Sequence, residues 1–326
     1  MRRTSARFRL AGAMAVATAI ATLGALTTAH GATAEAPAPE SVSTLSVGTP
    51  TGFGAGTTGG AGGATVTVTN ASQFTEAVNR SGALQVRVNG TINLSSMTRV
   101  AANKTIIGVG NNGRITGSGL NVRQVSNVII QNLTFTGSND DAISIEQSTR
   151  VWVDHNTLSN AYDGLVDIKR GSDNITVSWN RVNNHDKTML LGHSDSNGSQ
   201  DRGKLRVSYH HNWYDGTNQR NPRVRFGNPV HVYNNYYGGV TSYGVASTVE
   251  AGVLVEGNYF ENVKDPFHLG EGSSPGGTLV ARNNHFVNSA SGQTGGSVRS
   301  IPYSYSLDTP SNVKSIVMNG AGAGRI

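Results

Sequence analysis

Ile175-Thr176-Val177-Ser178-Trp179-Asn180-Arg181-Val182, Val207-Ser208-Tyr209-His210-His211-Asn212-Trp213-Tyr214 and Val230-His231-Val232-Tyr233-Asn234-Asn235-Tyr236-Tyr237 share one template. A branched or aromatic strand is followed by Asn, and two residues later by a large apolar side chain. The same template opens at Val151-Trp152-Val153-Asp154-His155-Asn156 and continues through Asn258 and Asn284. An earlier copy, Val128 to Phe135, has Leu133 at the Asn place. The Asn spacings are 24, 32, 23, 23 and 26 residues. A period near 23 is too short for a propeller blade of about 40 residues and lacks the dense Leu signature of a leucine-rich repeat. Asn-Gly hairpin turns are scarce after residue 120, which counts against a β-sandwich. The pattern predicts an all-β solenoid, a right-handed parallel β-helix, with each period forming one coil. Asn at the same turn of every coil would then hydrogen-bond through its amide to the coils above and below.

Outside this run the chain divides simply. Residues 1–34 read as a secretory signal: Arg2, Arg3, Arg7 and Arg9 precede a run of apolar and small residues from Leu10 to Leu26, and Ala-rich cleavage sites follow. No second apolar stretch approaches the length of a membrane span. Residues 35–63, Ala/Pro-rich and then Gly/Thr-rich, read as a flexible linker, and 64–326 as one β-helix domain. Asn70, with Gln73 three residues on, predicts a helix N-terminus. Phe74, Ala77 and Val78 form its apolar face, and Gly82 ends it. This helix would cap the open end of the solenoid, and no other substantial helix is expected. Residues 288–326 lose the template, so they either close the far end or run back along the outside.

The formal charge of +6 falls to +2 without residues 1–31, which carry four Arg and no acid. That excludes a globally basic nucleic-acid surface. No cysteine is present, which removes thiol chemistry and disulfides. The expected protein is secreted, extracellular and monomeric, with neither a nucleic-acid nor a membrane partner.

The chemistry-bearing residues follow the same period. Asp141 to Asp163 is 22 residues, Asp163 to Lys187 is 24, and Lys187 to Arg220 is 33. The last interval is one coil plus an insertion of about nine residues around His193–Asp201, where a cleft wall is expected. These residues should therefore line one face on successive coils, with Asp167 beside Asp163. Carboxylates on neighbouring rungs repel unless compensated, and three of them with water suit Ca²⁺ better than Mg²⁺. Lys187, Arg220, Arg223 and Arg225 add a basic strip, so the groove is expected to take a polyanion bridged by metal. Asp154-His155 is assigned no catalytic role and is read as structural.

The segments Asp163–Lys169, Lys187 and Arg220-Asn221-Pro222-Arg223-Val224-Arg225, together with Val151-Trp152-Val153-Asp154-His155, resemble the family-1 polysaccharide lyases, specifically the pectate lyases. The resemblance covers roughly residues 64–300. It implies a right-handed parallel β-helix, Ca²⁺, and β-elimination of polygalacturonate. By the same resemblance, Asp141, Asp163 and Asp167 are the calcium carboxylates, Arg220 the catalytic base, and Lys187 and Arg225 substrate-binding residues. Asn139 stands where some members carry a further acid, which leaves a secondary calcium site in doubt. Three alternatives remain open: a β-helix polygalacturonase, a calcium-independent pectin lyase and a non-catalytic β-helix adhesin.

Overall fold

The computed structural model describes residues 48–326. The expected signal (1–34) and the first part of the expected linker (35–47) lie outside the described residues. Three parallel sheets run the length of the domain, with ten, eight and nine strands. Each coil contributes one short strand to each sheet, as in Asp173–Ser178, Arg181–Asn183 and Leu190–Leu191. All named strand pairs are parallel between successive coils, for example Val177 beside Tyr209 and Val232 beside Val255. This is the parallel β-helix that the period predicts.

The Asn ladder is continuous. The side-chain amide of Asn156 donates to Asn180 Oδ1 at 3.0 Å, Asn180 donates to Asn212, Asn212 to Asn235, Asn235 to Asn258 and Asn258 to Asn284. Each oxygen also accepts the backbone N–H of the ladder residue one coil earlier, as Asn212 Oδ1 does from Asn180 N at 3.1 Å. The residue just before each ladder position turns the corner in the left-handed region: His155, Trp179, His211 and Asn234 have φ near +50°. Non-glycine residues adopt that conformation only where the surroundings hold it, and here the ladder bonds on both sides do so. Inside, the large residue two positions after each ladder Asn stacks on its counterpart. Tyr214, Tyr237 and Phe260 lie with ring centroids 4.6 and 4.5 Å apart.

The N-terminal helix spans Ala71–Asn79, with Asn70 Oδ1 accepting from Gln73 N and with Phe74, Ala77 and Val78 buried. Gln73 Oε1 reaches back to Thr69 N, one residue beyond the expected partner. Two expectations need correction. A second helix, Val313–Gly320, follows the solenoid, and its Val313 and Val317 pack near Trp213 and Tyr236. The C-terminal stretch therefore runs back along the outside: Tyr303 Oη meets Ser208 Oγ, and Gly324 N reaches Asn132 Oδ1. The described half of the expected linker is also bound to the solenoid. Phe53 N donates to Ser208 Oγ, Gly54 N to Thr176 Oγ1 and Gly60 N to Thr105 Oγ1, so this segment crosses the ten-stranded sheet. Its glycines serve close approach: a Cβ on Gly60 would overlap Leu84 O, and one on Gly63 would overlap Ala83 O. Among the described residues no helix is long and apolar enough to cross a membrane.

Candidate active site

The eight-stranded sheet positions the polar groups by alternation. Ile168 points into the core, so Asp167 and Lys169 on either side of it face out. Val224 does the same for Arg223 and Arg225 two coils further on, through the register Ile168–Leu191–Val224. Asp141, Asp163, Lys187 and Arg220 lie in the corners leading into these strands.

At the acidic end two carboxylates are buried, Asp141 at 3% and Asp167 at 2% exposure. Asp141 Oδ1 accepts from Gly164 N at 3.0 Å and Asp167 Oδ1 from Leu190 N at 3.1 Å. Gly164 is required here, because a Cβ on it would overlap Asp167 Oδ1. Burial, and then the charge of Asp141, push the Asp167 carboxyl up to about 7 against the opposing pull of Lys169 and Arg220. The Lys169 ammonium stands between the pair, 2.8 Å from Asp141 Oδ2 and 3.8 Å from Asp167 Oδ2. Burial opposes its charge, but Asp167 and Asp141 outweigh that and raise its pKa.

At the basic end Asp163 is half exposed. Its Oδ1 lies 3.1 Å from Lys187 Nζ and 3.8 Å from Arg220 Nη1. Asp163, Lys187 and Arg220 thus meet on successive coils, with Asp141 one coil earlier. Arg220 sits at a corner with φ +60°. Its carbonyl accepts from Met189 N at 2.7 Å and from the Thr188 hydroxyl. Next to it, Asn221 is held by Thr188 Oγ1, Thr217 Oγ1 and the Tyr243 carbonyl. The Arg220 guanidinium is therefore presented from a rigid corner, and its Nε is buried without a protein acceptor.

Arg225 is placed differently from Lys187. It is nearly buried and donates through Nε to Asp195 Oδ1 at 2.6 Å and through Nη1 to Gly192 O at 3.3 Å. Asp195 belongs to the insertion, which thus leans over the sheet and also meets Ser274 Oγ. Arg223 turns to Ser274 Oγ and Glu271 O.

The oxygen donors that could hold a hard cation are Asp141, Asp163 and Asp167. Sequence spacing places all three round one ion. The structure gathers Asp141 and Asp167 about the Lys169 ammonium and turns Asp163 toward Lys187 and Arg220. Among the described residues, no three acidic or histidine side chains already converge at metal-ligating distance. The donor set nevertheless fits a cation: two carboxylates are buried side by side, and a positive charge already stands between them. Lys169 was the residue missed. The signal for it was present, since alternation from Asp167 puts it on the same face.

The chain matches the pectate lyase family model over residues 16–326. It belongs to the pectate lyase family. Among curated members it is 42% identical over 293 residues to a pectate trisaccharide-lyase of Bacillus licheniformis, covering 83% of this chain and 84% of that one. It is 41% identical over 278 residues to pectate lyase A of Emericella nidulans, with 82% and 83% covered. Among solved structures, a Bacillus sp. N165 pectate lyase in complex with trigalacturonate superposes with a TM-score of 0.78 at 34% identity, over 85% of this chain and 99% of that one. The protein is thus a pectate lyase, a polysaccharide lyase built on a parallel β-helix. The hydrolase and adhesin alternatives fall away at that level.

Proposed function

We propose that the cleft binds α-1,4-linked polygalacturonate and cleaves it by Ca²⁺-dependent β-elimination, leaving 4,5-unsaturated oligogalacturonates. The observation that supports this reading is the junction, on successive coils, of a buried carboxylate pair with Asp163, Lys187 and Arg220. Asp141, Asp163 and Asp167 would hold the Ca²⁺, as hard oxygen donors. When bound, the ion neutralises a uronate carboxylate and so acidifies the adjacent C5–H.

Lys187 and Arg225 bind the uronate and stabilise the enolate-like charge that develops on it. Asp195 fixes Arg225 for that contact. Arg220 takes the C5 proton. The electron pair left behind forms the C4–C5 double bond, and the C4–O glycosidic bond breaks. The leaving oxygen takes a proton from water and ends as a hydroxyl, and Arg220 returns the C5 proton to solvent. A guanidine must be neutral to act as a base, and arginine is almost wholly protonated near neutrality, so the rate should rise into the alkaline range.

Residues 1–34 are proposed as the export signal, and the mature enzyme as an extracellular monomer that binds neither nucleic acid nor membrane. Incubation with polygalacturonate, with and without EDTA, tests the reading. Near-ultraviolet absorbance from the conjugated double bond should grow with Ca²⁺ and stop with EDTA. New reducing ends without absorbance would mean hydrolysis. EDTA-insensitive cleavage that favours methyl-esterified chains would mean pectin lyase chemistry.

A further inference from the structure

Trp152-Val153-Asp154-His155 takes no part in the cleft. Val151 and Val153 face the core, so Trp152 and Asp154 face out from the ten-stranded sheet rather than from the sheet that carries Asp167 and Arg225. The returning segment around Tyr305 passes over them and walls a pocket of about 550 Å³. That volume lies within the range of small-molecule sites, about 300–1,000 Å³.

A buried polar network forms its floor. Asp154 is fully buried and meets Gln131 Nε2 at 2.8 Å, Ser178 Oγ at 2.6 Å and His155 Nδ1 at 2.5 Å. Trp152 Nε1 donates to Ser178 Oγ at 2.9 Å. This network fixes the Gln131 amide, because a flip would set its oxygen against the Asp154 carboxylate. Gln131 Oε1 is then left buried with no donor, although the residue lines the pocket. Buried acceptors in folded proteins almost always have a donor, so one supplied from the pocket is called for.

The walls are aromatic. Trp152, Trp179, Tyr233 and Tyr305 line the pocket. Trp179 is stacked between His155 and His211, whereas no ring stacks on Trp152 among the described residues. Among the described residues no lysine or arginine lines the pocket. Burial, and then neighbouring His211, hold the pKa of His210 well below the usual histidine value, so that ring is neutral.

Apolar ring surface, an acceptor lacking a donor and no fixed cation are the complement of an uncharged sugar ring. Its C–H face packs on the aromatics, and one of its hydroxyls donates to Gln131 Oε1. A uronate would face Asp154 with no ammonium or guanidinium to compensate. We propose that this pocket is a binding site for a neutral pyranose, separate from the cleft that handles the charged polymer.

Isothermal titration of the full chain with D-galactose, D-glucose and D-galacturonate tests this. At least one neutral sugar should bind saturably and independently of EDTA, and about tenfold more tightly than galacturonate, which brings an unpaired charge. Gln131→Leu and Tyr305→Ala should each weaken that binding by about tenfold or more, through the lost acceptor and the lost ring face. Both variants should cleave polygalacturonate at the unsubstituted rate, which shows that they fold, and Tyr305→Ala leaves the Asp154 network untouched. No saturable binding of either neutral sugar, binding unchanged in both variants, or a preference for galacturonate would overturn the proposal.

Discussion

Removing one rung of the Asn ladder should destabilise the protein by an amount that the hydrogen bonds set. Asn212 is fully buried. Its Oδ1 accepts from Asn180 N at 3.1 Å and from Asn180 Nδ2 at 3.0 Å, and its Nδ2 donates to Val177 O at 2.9 Å and to Asn235 Oδ1 at 3.0 Å. In Asn212→Ala the Asn180 amide keeps Val153 O and Ser178 O, and Asn235 Oδ1 keeps the Asn212 backbone N–H. One buried group loses its partner outright, the Asn180 N–H, while Val177 O, opposite Tyr209 in the parallel strand pair, loses one of its donors. At about 1–3 kcal/mol for the orphaned N–H and about 1 kcal/mol for the lost bond to Val177 O, the loss is roughly 2–4 kcal/mol, a large share of a typical margin of about 5–15 kcal/mol. Urea unfolding followed by circular dichroism measures it. Asn112→Ala is the control, since its bond to Asn89 Oδ1 is exposed, and it should change stability by less than about 0.5 kcal/mol. Equal destabilisation by the two variants, or a cost below about 1 kcal/mol at Asn212, would refute the view that the ladder holds the coils together.

Two further outcomes are expected at the acidic end of the cleft. Burial and the neighbouring Asp141 charge raise the Asp167 pKa in the folded protein to about 7, well above the ordinary aspartate value. Protonation therefore favours the folded state, and that contribution is full below about pH 4 and lost as pH rises through about 7. In EDTA, Asp167 should lower the melting temperature over that window, by comparison with Asp167→Asn. A pH profile that is the same for both proteins would contradict this. Gly164→Ala should leave the fold intact but push the Asp167 carboxylate aside, lowering calcium affinity and cleavage by about tenfold or more; unchanged calcium titration would count against that carboxylate as a ligand.

The solenoid was legible in the sequence because its period is carried by a side chain, Asn, that few other contexts repeat. The left-handed corners were not, since no one side chain marks His155, Trp179, His211 and Asn234, and only the completed ladder imposes their conformation. Gly-rich 54–63 looked like a linker by composition; the same glycines fit equally well against a neighbouring backbone, and only the partners Thr105, Thr176 and Ser208 decide between the two. In the cleft, counting coils brought Asp163, Lys187 and Arg220 together. The direction of each side chain could not be counted, so the turn of Asp163 toward Lys187, the ammonium of Lys169 between Asp141 and Asp167, and the clamp of Asp195 on Arg225 emerged only from the structure.

The central claim is that Arg220, presented from its rigid corner beside Asp163, takes the proton in a calcium-dependent elimination. The most direct measurement is the rate of unsaturated-product formation from polygalacturonate by Arg220→Lys at saturating Ca²⁺, across neutral to strongly alkaline pH. Lysine keeps the charge but not the guanidine geometry, so the account predicts a loss in kcat of about a hundredfold or more with KM little changed. An Arg220→Lys enzyme with the original rate and pH profile would contradict it.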